Sequence, residues 1–144
     1  MNDAIVGQLM ATPVETVSED TPIRDAAARM FDDRVGSLVV VAAEATSADT
    51  DTESAAEDVV GILTATDVVG IVADDPDAGD ETVEAYMTAN PVTTAPETSI
   101  RTAADRMLEH GVHHVPVLED GALVGVITTT DLTAFLSTTR PPSP

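Results

Sequence analysis

The sequence predicts a mixed α/β (α+β) fold made of one unit used twice, and three observations carry that expectation. The octet Gly61-Ile62-Leu63-Thr64-Ala65-Thr66-Asp67-Val68 returns as Gly125-Val126-Ile127-Thr128-Thr129-Thr130-Asp131-Leu132. A wider set, Met10/Met87, Thr21/Thr98, Ile23/Ile100, Arg24/Arg101, Ala26/Ala103, Arg29/Arg106, Met30/Met107 and Val35/Val112, keeps one spacing of 77 residues. In each copy a helix-spaced apolar stripe precedes two runs dense in Val, Leu and Ile, the alternation of a mixed fold. The octet pairs are 64 residues apart, so the first copy carries 13 additional residues between Val41 and Val59. A duplication with one inserted loop accounts for the chain.

Each copy opens with a short helical segment, residues 5–10 and 83–87, stopped by a turn through Pro13 or Asn90-Pro91 and followed by a brief extended run. A stronger helix follows. Ile23, Ala26, Ala27, Met30 and Phe31 fall at i, i+3, i+4, i+7 and i+8, and Ile100, Ala103, Ala104, Met107 and Leu108 repeat them as one stripe. Thr21 and Thr98 suit the N-caps, Pro22 the first helical position, and Gly111 the exit of the second helix. Two strands come next in each copy, 37–41 with 59–63 and 115–118 with 123–128, the second pair joined by a tight hairpin through Glu119-Asp120-Gly121-Ala122. These elements divide the chain into a first repeat over 1–72 with an acidic insertion at 42–58, a flexible acidic linker at 73–81, a second repeat over 82–137, and a tail at 138–144. The insertion reads as a solvated loop. A calcium loop is the alternative, but its acids lack the ligand spacing and glycine of such a site.

A chain of 144 residues holds one domain or two half-sized units too small to bury a sufficient core separately, so the copies are expected to pack together. Its apolar content is aliphatic, with Phe31, Phe135 and Tyr86 as the aromatics. No run approaches the length of a membrane span, and Met1-Asn2-Asp3 lacks the basic start of a signal peptide, which predicts a cytoplasmic protein. With no cysteine there are no disulfides or thiolate metal sites. Twenty-six acidic residues against six arginines, with no lysine, give a formal charge of −20 and argue against nucleic acid or an anionic membrane as partner. Such self-repulsion is screened at ~1 M salt, where the Debye length is ~3 Å. A salt-rich cytoplasm, as in a halophilic, haloarchaeal cell, is the natural setting. Disorder is the competing reading of high acidity, and the apolar periodicity of both copies opposes it.

In each octet a strand runs through glycine to Thr64 or Thr128, and a helix begins near Asp67 or Asp131. Such a turn presents free backbone N–H groups and a positive dipole end. Threonine hydroxyls can bond phosphate or ribose, and an ionised aspartate accepts from the two hydroxyls of a vicinal diol. The combination suits a ribonucleotide. Helix capping by Thr66 and Asp67 alone would account for one isolated copy, but duplication in register favours a paired ligand role.

The order helix, Met10 turn, strand, helix, Val-rich strand and Gly-x-x-Thr-x-Thr-Asp resembles a tandem pair of cystathionine-β-synthase (CBS) domains, and Val112-His113-His114-Val115-Pro116-Val117 before the second octet matches closely. The resemblance spans about 4–72 and 82–137. It implies two pseudo-twofold βαββα repeats packed through their sheets, a Bateman module, whose two clefts in many relatives bind AMP, ADP, ATP or S-adenosylmethionine, with no cofactor required. It also implies a homodimer, a flat disc of four repeats. Carried over, one cleft would use Asp131 for ribose, Thr128 and Thr130 for ribose or phosphate, and His113 or His114 for phosphate, closed by Val35 and Gly36. The other would use Asp67, Thr64 and Thr66, closed by Val112 and His113, with Gly36 and Ser37 standing where its counterpart has two histidines. Val39 in place of Pro116 and the acidic insertion depart from the pattern and put the first site in more doubt than the second.

Neighbouring strand residues point to opposite faces, so at most one of His113 and His114 is expected to enter a given cleft while the other packs or meets solvent, and His110 is expected to be exposed. Zinc would need more convergent ligands than the sequence supplies. A catalytic triad needs a spatial order that nothing in the sequence indicates, so no enzymatic activity is expected. The leading expectation is a regulatory module sensing adenosine-type ligands and acting on a partner protein. An assembly module with vestigial clefts is the runner-up, and a nucleotide hydrolase a distant third.

Overall fold

The computed structural model describes residues 4–42 and 58–138. The acidic insertion, with its calcium alternative, and the tail lie outside the described residues apart from their edges. Among the described residues five helices and six strands follow in the order α1 (Val6–Leu9), β1 (Thr16–Ser18), α2 (Ile23–Asp33), β2 (Ser37–Val41), β3 (Val59–Thr64), α3 (Ala65–Asp74), β4 (Thr88–Ala89), α4 (Ile100–His110), β5 (His114–Glu119), β6 (Ala122–Thr128) and α5 (Thr129–Thr138), with single 3-10 turns at Ala78–Asp80 and Val83–Ala85. The expected strands recur within a residue at each end.

The chain forms two compact units whose borders are not those of the sequence repeats. One is Val14–Pro91 and the other joins Met1–Pro13 to Val92–Pro144. Each repeat therefore gives its opening segment to the unit formed by the rest of the other. Equivalent hydrogen bonds hold the two segments: Ile23 N to Glu81 O (2.7 Å) and Val83 N to Thr21 O (2.8 Å) in one, Ile100 N to Ala4 O (3.1 Å) and Val6 N to Thr98 O (2.8 Å) in the other. This corrects the flexible linker expected at 73–81. Ala78 is buried in the core of the Val14–Pro91 unit, and Arg24 pairs with Asp80 at 2.9 Å.

In the Val14–Pro91 unit the sheet order is β1-β2-β3-β4, with β1 parallel to β2 and the remaining pairs antiparallel. The other unit has the β5-β6 hairpin, with single bridges from Thr94, parallel to Val117, and from Ala11, antiparallel to Val126, at the places of β1 and β4. A register shift falls between Val40 and Val41 and again between Val117 and Leu118, 77 residues on. The hairpin turn is as expected, with Asp120 and Gly121 both at positive φ (54° and 83°), a two-residue geometry that matches strand twist.

Apolar faces meet in one core per unit. Val17, Ile23, Ala26, Met30, Leu38, Val40, Leu63, Ile71 and Val83 build one with Ala78; Val6, Ala103, Met107, Val115, Val117 and Ile127 build the other. The helical stripes are narrower than their spacing suggested. Ile23, Ala26 and Met30 are buried, but Phe31 is 83% exposed, and its counterpart Leu108 is 81% exposed. The caps also fall one residue later than expected. Pro22, not Thr21, is the N-cap of α2, and the Ser99 side chain, not that of Thr98, accepts from Thr102 N at the start of α4. Gly111 ends α4 in the left-handed conformation, as its placement predicted, while α2 ends on Arg34 at φ 56°.

Candidate functional site

β3 and β6 each deliver their last threonine to the start of a helix. Thr64 Oγ1 accepts from Asp67 N at 3.2 Å, while Asp67 Oδ2 accepts from Thr64 N at 2.8 Å. Thr128 and Asp131 repeat the exchange at 3.1 and 2.9 Å. Each is a reciprocal capping box that satisfies two otherwise unpaired amides. The cap thus belongs to Thr64 and Asp67; Thr66, which the sequence offered as the capping partner, is exposed as the second residue of α3, as Thr130 is of α5. Capping does not use up the aspartates. A carboxylate has about four lone-pair sites, and one amide bond fixes the group while leaving acceptor capacity for a diol.

Each turn is also tied to the strand before it. Ala65 N donates to Gly36 O (2.9 Å) and Thr129 N to His113 O (3.0 Å), while the strand registers pair Ser37 with Thr64 and His114 with Thr128. The structure thus gathers Gly36, Thr64, Thr66 and Asp67 at one turn and His113, His114, Thr128, Thr130 and Asp131 at the other. Val35 and Val112 pack at the rims of their own units' cores. His113 is exposed and His114 half-buried, and His110 at the end of α4 is exposed.

Beside the first turn lies a recess of about 250 Å³ lined by Thr66, Asp67, Gly70, Ile71, Asp74 and Tyr86. The Tyr86 hydroxyl donates to Glu81 Oε1 at 3.3 Å. Desolvation, then the charge and hydrogen bond of Glu81 and the charges of Asp75 and Asp74, raise its pKa. A carboxylate-lined recess of this kind repels phosphate and suits hydroxyl, amine or sulfonium groups. The sequence did not single out Tyr86, Gly70 or Asp74. Their counterparts Leu9, Ala134 and Thr138 differ in type, so the duplication carried no signal there; Tyr86 stands out only as the chain's single tyrosine. Among the described residues no group of three or more His, Asp or Glu side chains could hold a metal ion, and no helix is long and apolar enough to cross a membrane.

The CBS-domain family model matches residues 6–74 and 83–138. The chain belongs to the CBS-domain family. An uncharacterised 17.7 kDa protein of Acidianus ambivalens is 33% identical over 132 residues, covering 91% of this chain and 72% of that protein. Among solved structures, an uncharacterised conserved protein of Pyrococcus horikoshii superposes with a TM-score of 0.78 at 27% identity, covering 100% and 99% of the two chains. The CBS domain pair of the protein MJ0100, solved with 5′-methylthioadenosine and S-adenosylmethionine, gives 0.78 at 22% identity, covering 96% and 100%, and at that identity the likeness shows the fold. These tandem repeats are the pair of βαββα CBS units that the sequence resemblance implied.

Proposed function

We infer that the chain is a non-catalytic regulatory CBS module of the cytoplasm that binds adenosine-containing ligands and passes their occupancy to a partner protein. The observation that carries the reading is the reciprocal Thr–Asp cap at the end of β3 and again of β6, which fixes a carboxylate beside a helix N-terminus in both units. The adenosine compounds bound by the MJ0100 pair support the ligand class. Regulation would follow from differential affinity, since a ligand shifts an equilibrium only by the difference in its binding to the two states.

The two turns differ in charge, and the reading assigns them different preferences. The Asp131 turn, with His113 and His114, favours a phosphorylated adenosine such as AMP, ADP or ATP. The Asp67 turn, beside a recess bearing Asp67, Asp74 and Tyr86, favours an uncharged or sulfonium-bearing adenosine. Calorimetry in molar KCl with AMP, ADP, ATP, GTP and S-adenosylmethionine tests this. Binding of at least one adenosine compound, weakened by Asp67→Ala or Asp131→Ala, is the expected result. Heats indistinguishable from dilution for the whole panel would sink it.

The second reading, an assembly module with vestigial sites, is favoured by apolar side chains left exposed at equivalent places in both copies, Phe31 with Leu108 and Val72 with Leu136. Burial of such side chains against a second copy, as a homodimer, fits either reading; light scattering at high salt that shows monomer alone counts against it.

A further inference from the structure

We propose that Met10 and Met87 are a matched pair of peroxide-sensitive clamps, one in each unit, whose oxidation to the sulfoxide releases the exchanged opening segments. The four methionines among the described residues form two duplicated pairs. Met30 and Met107 are buried in the cores, whereas Met10 and Met87 are half-buried at the core edges and so reachable by a small oxidant. With no cysteine in the chain, thioethers are its only sulfur.

The seat of each sulfur is a glycine in the strand that leads to a capped turn. A Cβ on Gly61 would lie 2.5 Å from Met87 Sδ and 2.9 Å from both Met87 Cγ and Thr88 O; one on Gly125 would lie 2.5 Å from Met10 Sδ and 2.8 Å from Met10 Cγ. The sulfur thus fills the space a side chain would take. Backbone bonds beside it, Asn90 N to Val60 O (3.2 Å) and Ala11 N to Val126 O (2.8 Å), depend on the segment staying close. Hydrogen peroxide converts the thioether by attack of a sulfur lone pair on one peroxide oxygen: the S–O bond forms, the O–O bond breaks, and the departing hydroxide takes the proton to leave as water. Sulfur is oxidised by two electrons and peroxide reduced by two. The product is a larger, polar group in a seat shaped for an apolar one, and methionine sulfoxide reductases reverse it. The proposal rests on packing alone and stands whether or not the turns bind nucleotides.

The test treats the full chain with hydrogen peroxide in molar KCl and follows peptide masses, thermal melting and hydrogen exchange. Met10 and Met87 are expected to gain one oxygen before Met30 and Met107, with a fall in Tm of about 4 °C or more and faster exchange around Val60, Asn90, Ala11 and Val126. A double Met10→Leu, Met87→Leu variant keeps an apolar clamp without sulfur and is expected to hold its Tm under the same treatment. Should that variant fold poorly, the exchange pattern of the oxidised wild-type chain decides. Oxidation of all four methionines at one rate, or an oxidised chain with unchanged melting and exchange, overturns the proposal.

Discussion

Replacing Gly61 by alanine is expected to cost more than replacing Gly125, although the two occupy the same place in the repeat. At Gly61 the new Cβ meets the Met87 side chain at 2.5 and 2.9 Å and also a backbone atom, Thr88 O, at 2.9 Å. At Gly125 the Met10 side chain is as close, but the nearest backbone atom, Ala11 O, is 3.2 Å away. A flexible thioether can swing aside, whereas a carbonyl within the ladder moves only with β4. Overpacking costs about 1–3 kcal/mol, and alanine recovers about 0.5–1 kcal/mol of glycine's backbone entropy in a strand. Taking the upper end of overpacking for Gly61 and the middle for Gly125 leaves net losses of about 2 and about 1 kcal/mol. In units of this size each kcal/mol lowers Tm by roughly 4–8 °C. Chemical denaturation in molar KCl measures both losses, and a double-mutant cycle of Gly61→Ala with Met87→Ala should show a favourable coupling above ~0.5 kcal/mol. Equal losses at the two glycines, or strict additivity in the cycle, would refute the idea that sulfur and carbonyl together occupy the glycine's space.

Lowering KCl from molar to below roughly 0.1 M, where the Debye length reaches ~10 Å, is expected to loosen a chain of charge −20; a melting temperature constant across a circular dichroism series rejects that. Glu15 has its pKa raised by a hydrogen bond to Asp33, then by desolvation and the Asp33 charge, with Arg29 opposing. Its folded pKa lies above the unfolded one, so the contribution is present below the unfolded value of ~4.3 and lost as pH rises through the folded value. Glu15→Gln should therefore melt higher than wild type at pH 7 and lose that advantage near pH 4; the opposite pH trend in melting scans is the contrary result. Asp131→Ala should weaken a phosphorylated adenosine more than Asp67→Ala does, and a double His113→Ala, His114→Ala variant should weaken it as well through lost hydrogen-bond donors. Calorimetry reads both, and equal losses from the two aspartates dismiss the asymmetry.

The elements that repeat were legible because duplication tells apart what one copy leaves ambiguous. Strands β2, β3, β5 and β6 follow from residues whose twin occupies the same place, whereas the hairpin and the end of α4 were legible from Asp120-Gly121 and Gly111 alone. The octet showed where the capped turns would be, but not that Thr64, rather than Thr66, exchanges bonds with Asp67, since either hydroxyl lies close in sequence to the helix start. Two other features were hidden. Residues 73–81 look like a solvated linker because Asp74, Asp75, Asp77, Asp80 and Glu81 dominate them, yet one small side chain, Ala78, anchors them in a core and Asp80 meets Arg24. The exchange of opening segments has no sequence signature, because hydrophobic periodicity records that a face is covered and is silent about which stretch of chain covers it. Tyr86 escaped notice for a related reason, its partner Leu9 being apolar.

That exchange sets an order of events for a chain emerging from the ribosome. The Val14–Pro91 unit is continuous in sequence and can close once Pro91 is free. The other unit needs Met1–Pro13 to wait for Val92 onward, a closure across nearly the whole chain with the slow kinetics of high contact order. Until then Val6, which belongs to the later core, has no native seat, although it is synthesised before any residue of the unit that closes first. Pulse-labelled hydrogen exchange during refolding should protect Val40 and Leu63 before Val6 and Val126, and a circular permutant that begins at Val14 and appends residues 1–13 after the tail should narrow that interval.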